Sequence, residues 1–412
     1  MKILLFALDF KPRPGGLAEY GFQIANRLAE KGHCVTALTV GMPGSRSFDI
    51  KQKYRTVRVA RTRWIREVLF FIVIAYYAVR GRIDVVLCLN WFPCAALMAF
   101  LGPLFKIPYY TFAFGAEIYD SASSLKRRFG WIKQSAFGRS ARCFPISRFT
   151  GELLTTPDVG VSPSRISVVP GATDPGKFRP AARSWALRCG SPVPLCFPGE
   201  DAARLDDREI EARWYRVMTE RRVILTVTRL VENKGIDLII RALPDIRSMF
   251  PRACYLIVGD GPDKIRLQKL AQVSWLHGHV FFAGYVPDEA LVRFYNLAEV
   301  FIMPSRQRLD SPAVEGFGLV FLEANGCGKP VIGGRSGGMA DAVIHGVTGF
   351  LVDPADPDEA GTAVCRLLGD QDLAASLGKK GRNRVCSELN WDSVGQRIAA
   401  VIERECEISG RQ

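Results

Sequence analysis

The chain opens on an apolar run without alternation, Ile3–Leu8, between Lys2 and Asp9. Such a run predicts a strand buried on both faces, as in a parallel sheet. The turn Lys11-Pro-Arg-Pro-Gly-Gly16 follows. Apolar positions at helical spacing (Leu17, Tyr20, Ile24, Leu28) then lead to Gly32. A second strand is expected at Val35–Val40. More are expected near Val57–Ala60, Asp84–Leu89, Pro108–Phe112, Ala141–Ile146 and Ile166–Val169, with helical segments between most of them. From Pro180 to Glu220 the pattern dissolves into a charged stretch broken by Pro192, Pro194 and Pro198. It then restarts. Strands at Val223–Thr228, Ala253–Gly259, Val280–Ala283, Val300–Met303 and Pro330–Gly333 alternate with helices at Gly235–Phe250, Pro262–Trp275, Asp288–Leu297 and Gly316–Gly326. The segment 356–409 reads as largely helical.

Strand–helix alternation of this kind predicts an α/β protein with doubly wound parallel sheets. At 412 residues the chain exceeds one ordinary domain of ~100–200 residues. The expected division is a first domain at 1–180, a linker or insertion at 181–220, a second domain at 221–388, and a C-terminal helical piece at 389–412 that packs back toward the first domain. Ligands of such sheets bind beyond the carboxyl ends of the strands. The loops to read together are therefore Asp9–Gly16, Ala113–Asp120, Arg229–Lys234, Gly259–Pro262 and Ser305–Gly318.

Composition narrows the class. Hydrophobic residues make up 48% and charged residues 23%, which excludes a disordered or coiled-coil chain. The apolar run Val68–Val79 is shorter than the ~20 residues of a membrane span, and Ile3–Leu8 has no cleavage site after it. The 11 Cys form no CxxC pair and there are 4 His, so no metal site is expected. Scattered cysteines such as Cys34, Cys88, Cys254 and Cys327 read as small core residues in a reducing cytoplasm.

The charge is asymmetric. Residues 1–180 hold 26 Lys and Arg against 11 Asp and Glu, whereas residues 181–412 hold 29 against 30. Seven basic residues lie between Lys51 and Arg66 (Lys51, Lys53, Arg55, Arg58, Arg61, Arg63, Arg66), directly before the apolar stretch Val68–Tyr77. This juxtaposition fits an anionic membrane surface, or alternatively a solvated loop followed by a core helix. No nucleic-acid recognition motif accompanies it.

Several loops carry residues suited to a phosphorylated ligand. Gly15-Gly16 stands between a strand and a helix N-terminus, where free N–H groups attract anions. Arg229 and Lys234 flank a loop leaving a strand and could clamp a diphosphate. In Glu315-Gly-Phe-Gly-Leu-Val-Phe-Leu-Glu323, Gly316 and Gly318 free the backbone at a helix start. Glu323 falls among apolar neighbours and needs hydrogen-bond partners, which two adjacent ribose hydroxyls would supply. Asp356-Pro-Asp358 precedes a helical segment and reads as a cap, not as a metal motif.

Taken in order, the motifs resemble glycosyltransferase family 4, whose GT-B fold places two Rossmann-like domains around a cleft. They are Gly15-Gly16, Arg229-x4-Lys234-Gly, Val258-Gly-Asp-Gly-Pro262, Phe282-Ala-Gly-Tyr-Val286, Glu315-x7-Glu323, Gly328-Lys-Pro-Val331, Gly337-Gly338 and Thr348-Gly-Phe-Leu-Val352. The resemblance implies a retaining transfer from a nucleotide-diphosphate sugar, UDP- or GDP-linked, with no metal at the diphosphate and no cofactor. It implies that Arg229 and Lys234 hold the diphosphate, helped by backbone N–H groups of Gly16 and of Phe317, Gly318, Leu319 and Val320. It assigns Glu323 to the ribose, Glu315 to the transferred sugar, and backbone at Gly284-Tyr285 to the base. The first domain would bind the acceptor, a lipid-linked or cell-envelope glycan, at the cytoplasmic face of the membrane.

One position departs from the family. Members often carry a His in the loop after the fifth strand, and here Phe114 stands in Thr111-Phe-Ala-Phe-Gly-Ala-Glu117. Either Glu117 and backbone carbonyls hold the donor sugar, or that sugar lacks the hydroxyl the His would bind, or activity is lost. Two other classes compete: a nucleotide-sugar epimerase of the same fold, and a non-catalytic nucleotide-sugar-binding relative. The loop at Phe114 counts against the first, and the intact charged pairs count against the second.

Overall fold

The computed structural model describes residues 1–115, 118, 130–188, 218–273, 276, 278–307 and 314–408, with the side chains of 63 and 64 left out. Contacts divide the chain into two units, Met1–Ala172 with Trp391–Gln412, and Thr173–Asn390.

The first unit is built on a parallel sheet of β1 (Lys2–Phe6), β2 (Cys34–Val40), β3 (Arg55–Val59), β4 (Val85–Cys88), β5 (Tyr109–Ala113) and β6 (Arg142–Pro145). Its order is β3-β2-β1-β4-β5-β6. The chain thus walks one way from β1 to β3 and the other way from β4 to β6. Right-handed crossovers then place the two sets of helices on opposite faces. Helix α1 (Gly16–Glu30) lies on one face. Helices α2 (Arg63–Val79), α3 (Ala96–Phe105) and α4 (Gly130–Gly138) share the other. On that second face Phe70, Ile74 and Tyr77 of α2 and Met98 and Ala99 of α3 join Leu4, Phe6, Leu38 and Val86 of the strands in one core.

The second unit repeats the plan. Its parallel strands are β7 (Arg222–Val227), β8 (Ala253–Val258), β9 (Val280–Gly284), β10 (Val300–Met303), β11 (Val331–Gly334) and β12 (Gly349–Val352). Their order, read from the other edge, is β9-β8-β7-β10-β11-β12. The intervening helices are α5 (Ile236–Met249), α6 (Lys264–Val273), α7 (Leu291–Leu297) and α8 (Leu319–Gly326), and α9 (Pro357–Gly369) and α10 (Gln371–Ser387) follow. Helix α11 (Trp391–Ile408) returns to the first unit, where it packs on α1 and Trp391 meets Tyr20 edge-on at 5.5 Å.

Four readings of the sequence change. Ile166–Val169 is no strand: Ser167 and Val169 donate to the carbonyls of Cys143 and Pro145, but only one bridge forms. Pro163 and Pro170 bracket the segment and withhold donors from a longer ladder. β12 was legible only as a motif, since Gly349 opens a run with just three apolar side chains, Phe350, Leu351 and Val352. Residues 173–188 belong to the second unit, since Asn296 of α7 accepts from Ala181 N at 2.7 Å and donates to Arg179 O at 3.1 Å. The remainder of the 181–220 segment, 189–217, lies outside the described residues. Cys88, Cys254 and Cys327 are buried, but Cys34 is exposed. Among the described residues no helix is long and apolar enough to cross a membrane.

Candidate active site

In the second sheet β7 and β10 are neighbours whose chains leave toward opposite faces. The loops beyond their carboxyl ends therefore diverge and leave a crevice, the usual ligand position in such sheets. The charged residues singled out in the sequence lie there. Lys234 ends a single 3-10 turn after β7, and its Nζ donates to Glu315 Oε2 in the loop after β10. Both side chains are largely buried, at 19% and 16% exposure, so the pair joins the two loops in a partly dry setting. Arg229 stays exposed, with no side-chain partner among the described residues.

Backbone contacts hold this arrangement. Leu230 N donates to Asp260 O, and Asp263 N donates to Leu230 O, which zips the Arg229 segment to the loop after β8. Gly259 is required at that seam. Its φ is +130°, and a Cβ there would lie 1.8 Å from Thr228 O. Gly259 N in turn donates to Gly284 O at 2.7 Å, which ties in the end of β9. Tyr285 follows, 65% exposed. On the other side Arg306 N donates to Asn233 O, and the Arg306 guanidinium bonds both oxygens of Asp237 at 2.9 and 3.0 Å. Gly338 N donates to Glu315 O at 2.9 Å, and Gly337 could not carry a Cβ, which would come 2.5 Å from that same oxygen. The Gly337-Gly338 motif thus fixes the backbone that presents Glu315.

Helix α8 starts at Leu319, with Gly318 as its N-cap and Gly316 and Phe317 in the buried approach. The expected helix start at Gly316 is therefore three residues early. Phe321 N donates to Gly318 O at 3.1 Å, while the N–H groups of Leu319 and Val320 have no partner within the helix and lie at the positive end of its dipole. Leu319 and Val320 are half-buried at that end. Glu323 lies one turn into the helix, not two. Its Oε2 accepts from Tyr295 Oη at 2.5 Å. Burial, reinforced by the Glu323 carboxylate, pushes the Tyr295 hydroxyl well above its ordinary pKa, so it remains a donor. Tyr295 was not visible as a site residue in the sequence, since nothing in its local pattern links α7 to α8.

The remaining expectations fall in the first unit. Gly15 is the N-cap of α1 with φ +135°, and Gly15 and Gly16 are both exposed beyond the end of β1. The charges of that loop pair within it or with α1: Arg13 with Asp9, and Lys11 with Glu19 at 2.7 Å. Phe114 packs into an aromatic cluster, edge-on to Tyr20 at 5.3 Å and stacked on Phe112 at 6.3 Å. Glu117 lies outside the described residues. Asp356 caps α9, accepting from the N–H groups of Asp358 and Glu359.

Residues 14–177 match the family described as Glycosyltransferase Family 4, and residues 207–384 match Glycosyl transferases group 1. A GDP-mannose-dependent alpha-(1-6)-phosphatidylinositol monomannoside mannosyltransferase of Mycolicibacterium smegmatis is 33% identical over 97% of this chain and 98% of that protein. A D-inositol 3-phosphate glycosyltransferase of Acidothermus cellulolyticus is 33% identical over 59% of this chain and 48% of that protein. Among solved structures, Anabaena HepE in complex with UDP superposes with a TM-score of 0.77 at 16% identity, covering 98% of this chain and 100% of that one. Sucrose-phosphate synthase of Thermosynechococcus elongatus gives 0.74 at 22%, covering 98% and 99%. The chain belongs to glycosyltransferase family 4 and is a glycosyltransferase with the GT-B fold.

Proposed function

We propose that this family 4 member transfers a hexose with retention from a nucleotide-diphosphate sugar, GDP-mannose before others, to a hydroxyl of a lipid-linked acceptor of the phosphatidylinositol type, without a metal at the diphosphate. The acceptor and the nucleotide follow from the M. smegmatis relative, which matches nearly end to end. The observation that supports the chemistry is the Lys234–Glu315 pair at the crevice between β7 and β10, beside the exposed Arg229.

The chemistry runs through charge. Breaking the sugar–phosphate bond leaves a nucleoside diphosphate whose negative charge grows toward the transition state. Groups that bind this charge more tightly than the ground state lower the barrier. Arg229 supplies a guanidinium that fits two phosphate oxygens, and Lys234 supplies a compact ammonium. The α8 N–H groups add dipoles that need no reorganisation. As the diphosphate engages Lys234, the Glu315 carboxylate is released toward the sugar hydroxyls. Glu323, held at Oε2 by Tyr295, is positioned to accept from a ribose hydroxyl.

Incubation with GDP-mannose, UDP-glucose and phosphatidylinositol mannoside, with excess chelator, tests the reading. The expected result is a new α-linked mannolipid with GDP released and unchanged yield under chelation. Transfer only after a divalent ion is restored would overturn metal independence. A β-linked product would overturn retention.

A further inference from the structure

We propose that the α2–α3–α4 face of the first unit docks on a lipid leaflet by shallow insertion of apolar side chains, with a basic rim at the headgroups. The observation is an apolar face left uncovered. Between Glu67 and Arg80, helix α2 carries twelve consecutive uncharged residues. One row of them packs on the sheet: Phe70, Ile74 and Tyr77 are buried, with Phe70 4.6 Å from Phe6. The opposite row, Ile65, Val68, Ile72, Tyr76 and Val79, repeats at helical spacing and is 45–76% exposed. A helix on a water-facing surface is ordinarily polar along that row.

The face continues beyond α2. The strand order places α3 and α4 on the same side of the sheet, α3 packs against α2, and α4 packs against α3. Phe100 and Leu104 of α3 are 55% and 69% exposed, and Trp131 of α4 is 54% exposed. Apolar residues scattered singly over a surface mean little, but a face shared by three adjacent helices marks an interaction site.

The charge around the face selects the partner. Arg61, Arg80, Arg82 and Lys106 are exposed at the ends of α2 and α3, and Arg80 sits 4.7 Å over the Tyr76 ring. Nearby acids are already engaged: Glu67 with Arg66 at 2.6 Å, and Asp84 with the Lys2 N–H at 2.6 Å. What faces outward at the rim is basic, with aromatic rings beside it, which complements anionic headgroups above acyl chains. At 17 residues α2 lies along the surface and does not span it.

This also leaves only part of the cluster at 51–66, Arg61 at the start of α2, in the basic rim. Arg58 is taken up by Asp49, with bonds of 2.7 and 2.8 Å, Arg66 by Glu67, and Lys53 lies 3.4 Å from Glu30. The surface therefore binds through apolar contact with electrostatic help, and part of the binding survives salt. The inference is independent of the donor-site reading, because it concerns the bare protein on vesicles.

The test is co-sedimentation of the full chain with vesicles of phosphatidylcholine, and with an equal mixture of phosphatidylcholine and phosphatidylglycerol. Val68→Ser with Ile72→Ser should reduce binding to mixed vesicles by roughly tenfold or more, from the methylenes no longer buried. Lys51→Ser with Lys53→Ser should bind close to wild type. In wild type, brominated lipid should quench more tryptophan emission than it does in Trp131→Phe. Nucleotide binding and circular dichroism check that the exposed substitutions leave the fold intact. The proposal fails if the double serine variant binds as wild type does, or if wild type binds neither vesicle. It also fails if wild type forms a dimer that the serine variant abolishes, which would give the face to a second copy.

Discussion

The two units share one strand order, yet among the described residues only the second joins its two central loops with opposite charges. At the first crossover, beyond β1 and β4, Leu8 N donates to Asn90 Oδ1, and the ion pairs close within the β1 loop or onto α1. At the second, beyond β7 and β10, Lys234 and Glu315 reach across from separate loops, and Arg229 has no side-chain partner among the described residues. The first unit instead carries the excess positive charge of the chain and an uncovered apolar face. Strand order determines where a ligand can sit; the side chains on the divergent loops determine whether a charged one does. The duplicated architecture thus carries unlike side chains at corresponding places.

The comparison can be broken first at its glycines. Gly15 and Gly259 both hold positive φ after a strand, but a Cβ on Gly15 meets nothing within 4 Å and one on Gly259 meets Thr228 O. Gly259→Ala should therefore cost on the order of 4 kcal/mol or more. Gly15→Ala should cost about 1–3 kcal/mol, from backbone strain alone. Denaturant titration of both variants measures the gap, and equal losses would contradict the packing described for the second unit.

Charges come next. Arg229→Ala, Lys234→Ala and Glu323→Ala should each lower donor kcat/KM by about 1–3 kcal/mol, the usual loss for a charged hydrogen bond. Arg13→Ala, in the first unit, should change it far less. Initial rates at varied donor concentration provide the comparison.

These expectations rest unevenly on what the chain's pattern discloses. Strands buried on both faces announce themselves as apolar runs, as Ile3–Leu8 does, and eleven of the strands were legible; β12, which opens on Gly349, was legible only as a motif. Glu315 and Glu323 were legible as a spaced pair, but their partners were not. Lys234 is 81 positions from Glu315, and Tyr295 is 28 from Glu323. No local spacing encodes contacts that the sheet topology creates. The outer row of α2 was ambiguous for a different reason: a helix apolar all round reads as core or as a membrane-facing stretch, and only the three-dimensional structure shows which row is exposed.

A smaller effect sharpens the second unit's side. Tyr295→Phe removes the donor to Glu323 and should raise donor KM by about 1.5 kcal/mol or less, with kcat nearly unchanged. The same substitution should narrow the difference between a ribonucleotide and its deoxy analogue. A drop in kcat with KM intact would remove Tyr295 from ribose positioning.

The smallest expected effect is a pH dependence confined to the second unit. His279 is lowered to about 4 by burial, with Arg247 and Arg221 adding repulsion. The unfolded chain protonates this imidazole near its ordinary value of 6.5 while the folded chain resists. Its contribution is therefore complete above that value and is lost as pH falls from about 6.5 to about 4. Thermal unfolding of His279→Gln across this window should show a shallower acid limb than wild type; parallel limbs would discount the residue.

The most direct test of the donor site is calorimetric titration of GDP in the presence of excess chelator. Wild type should bind, and Arg229→Ala combined with Lys234→Ala should bind roughly a hundredfold more weakly, from two lost charged contacts. Equal affinity for the two proteins would contradict a diphosphate held at the crossover of β7 and β10.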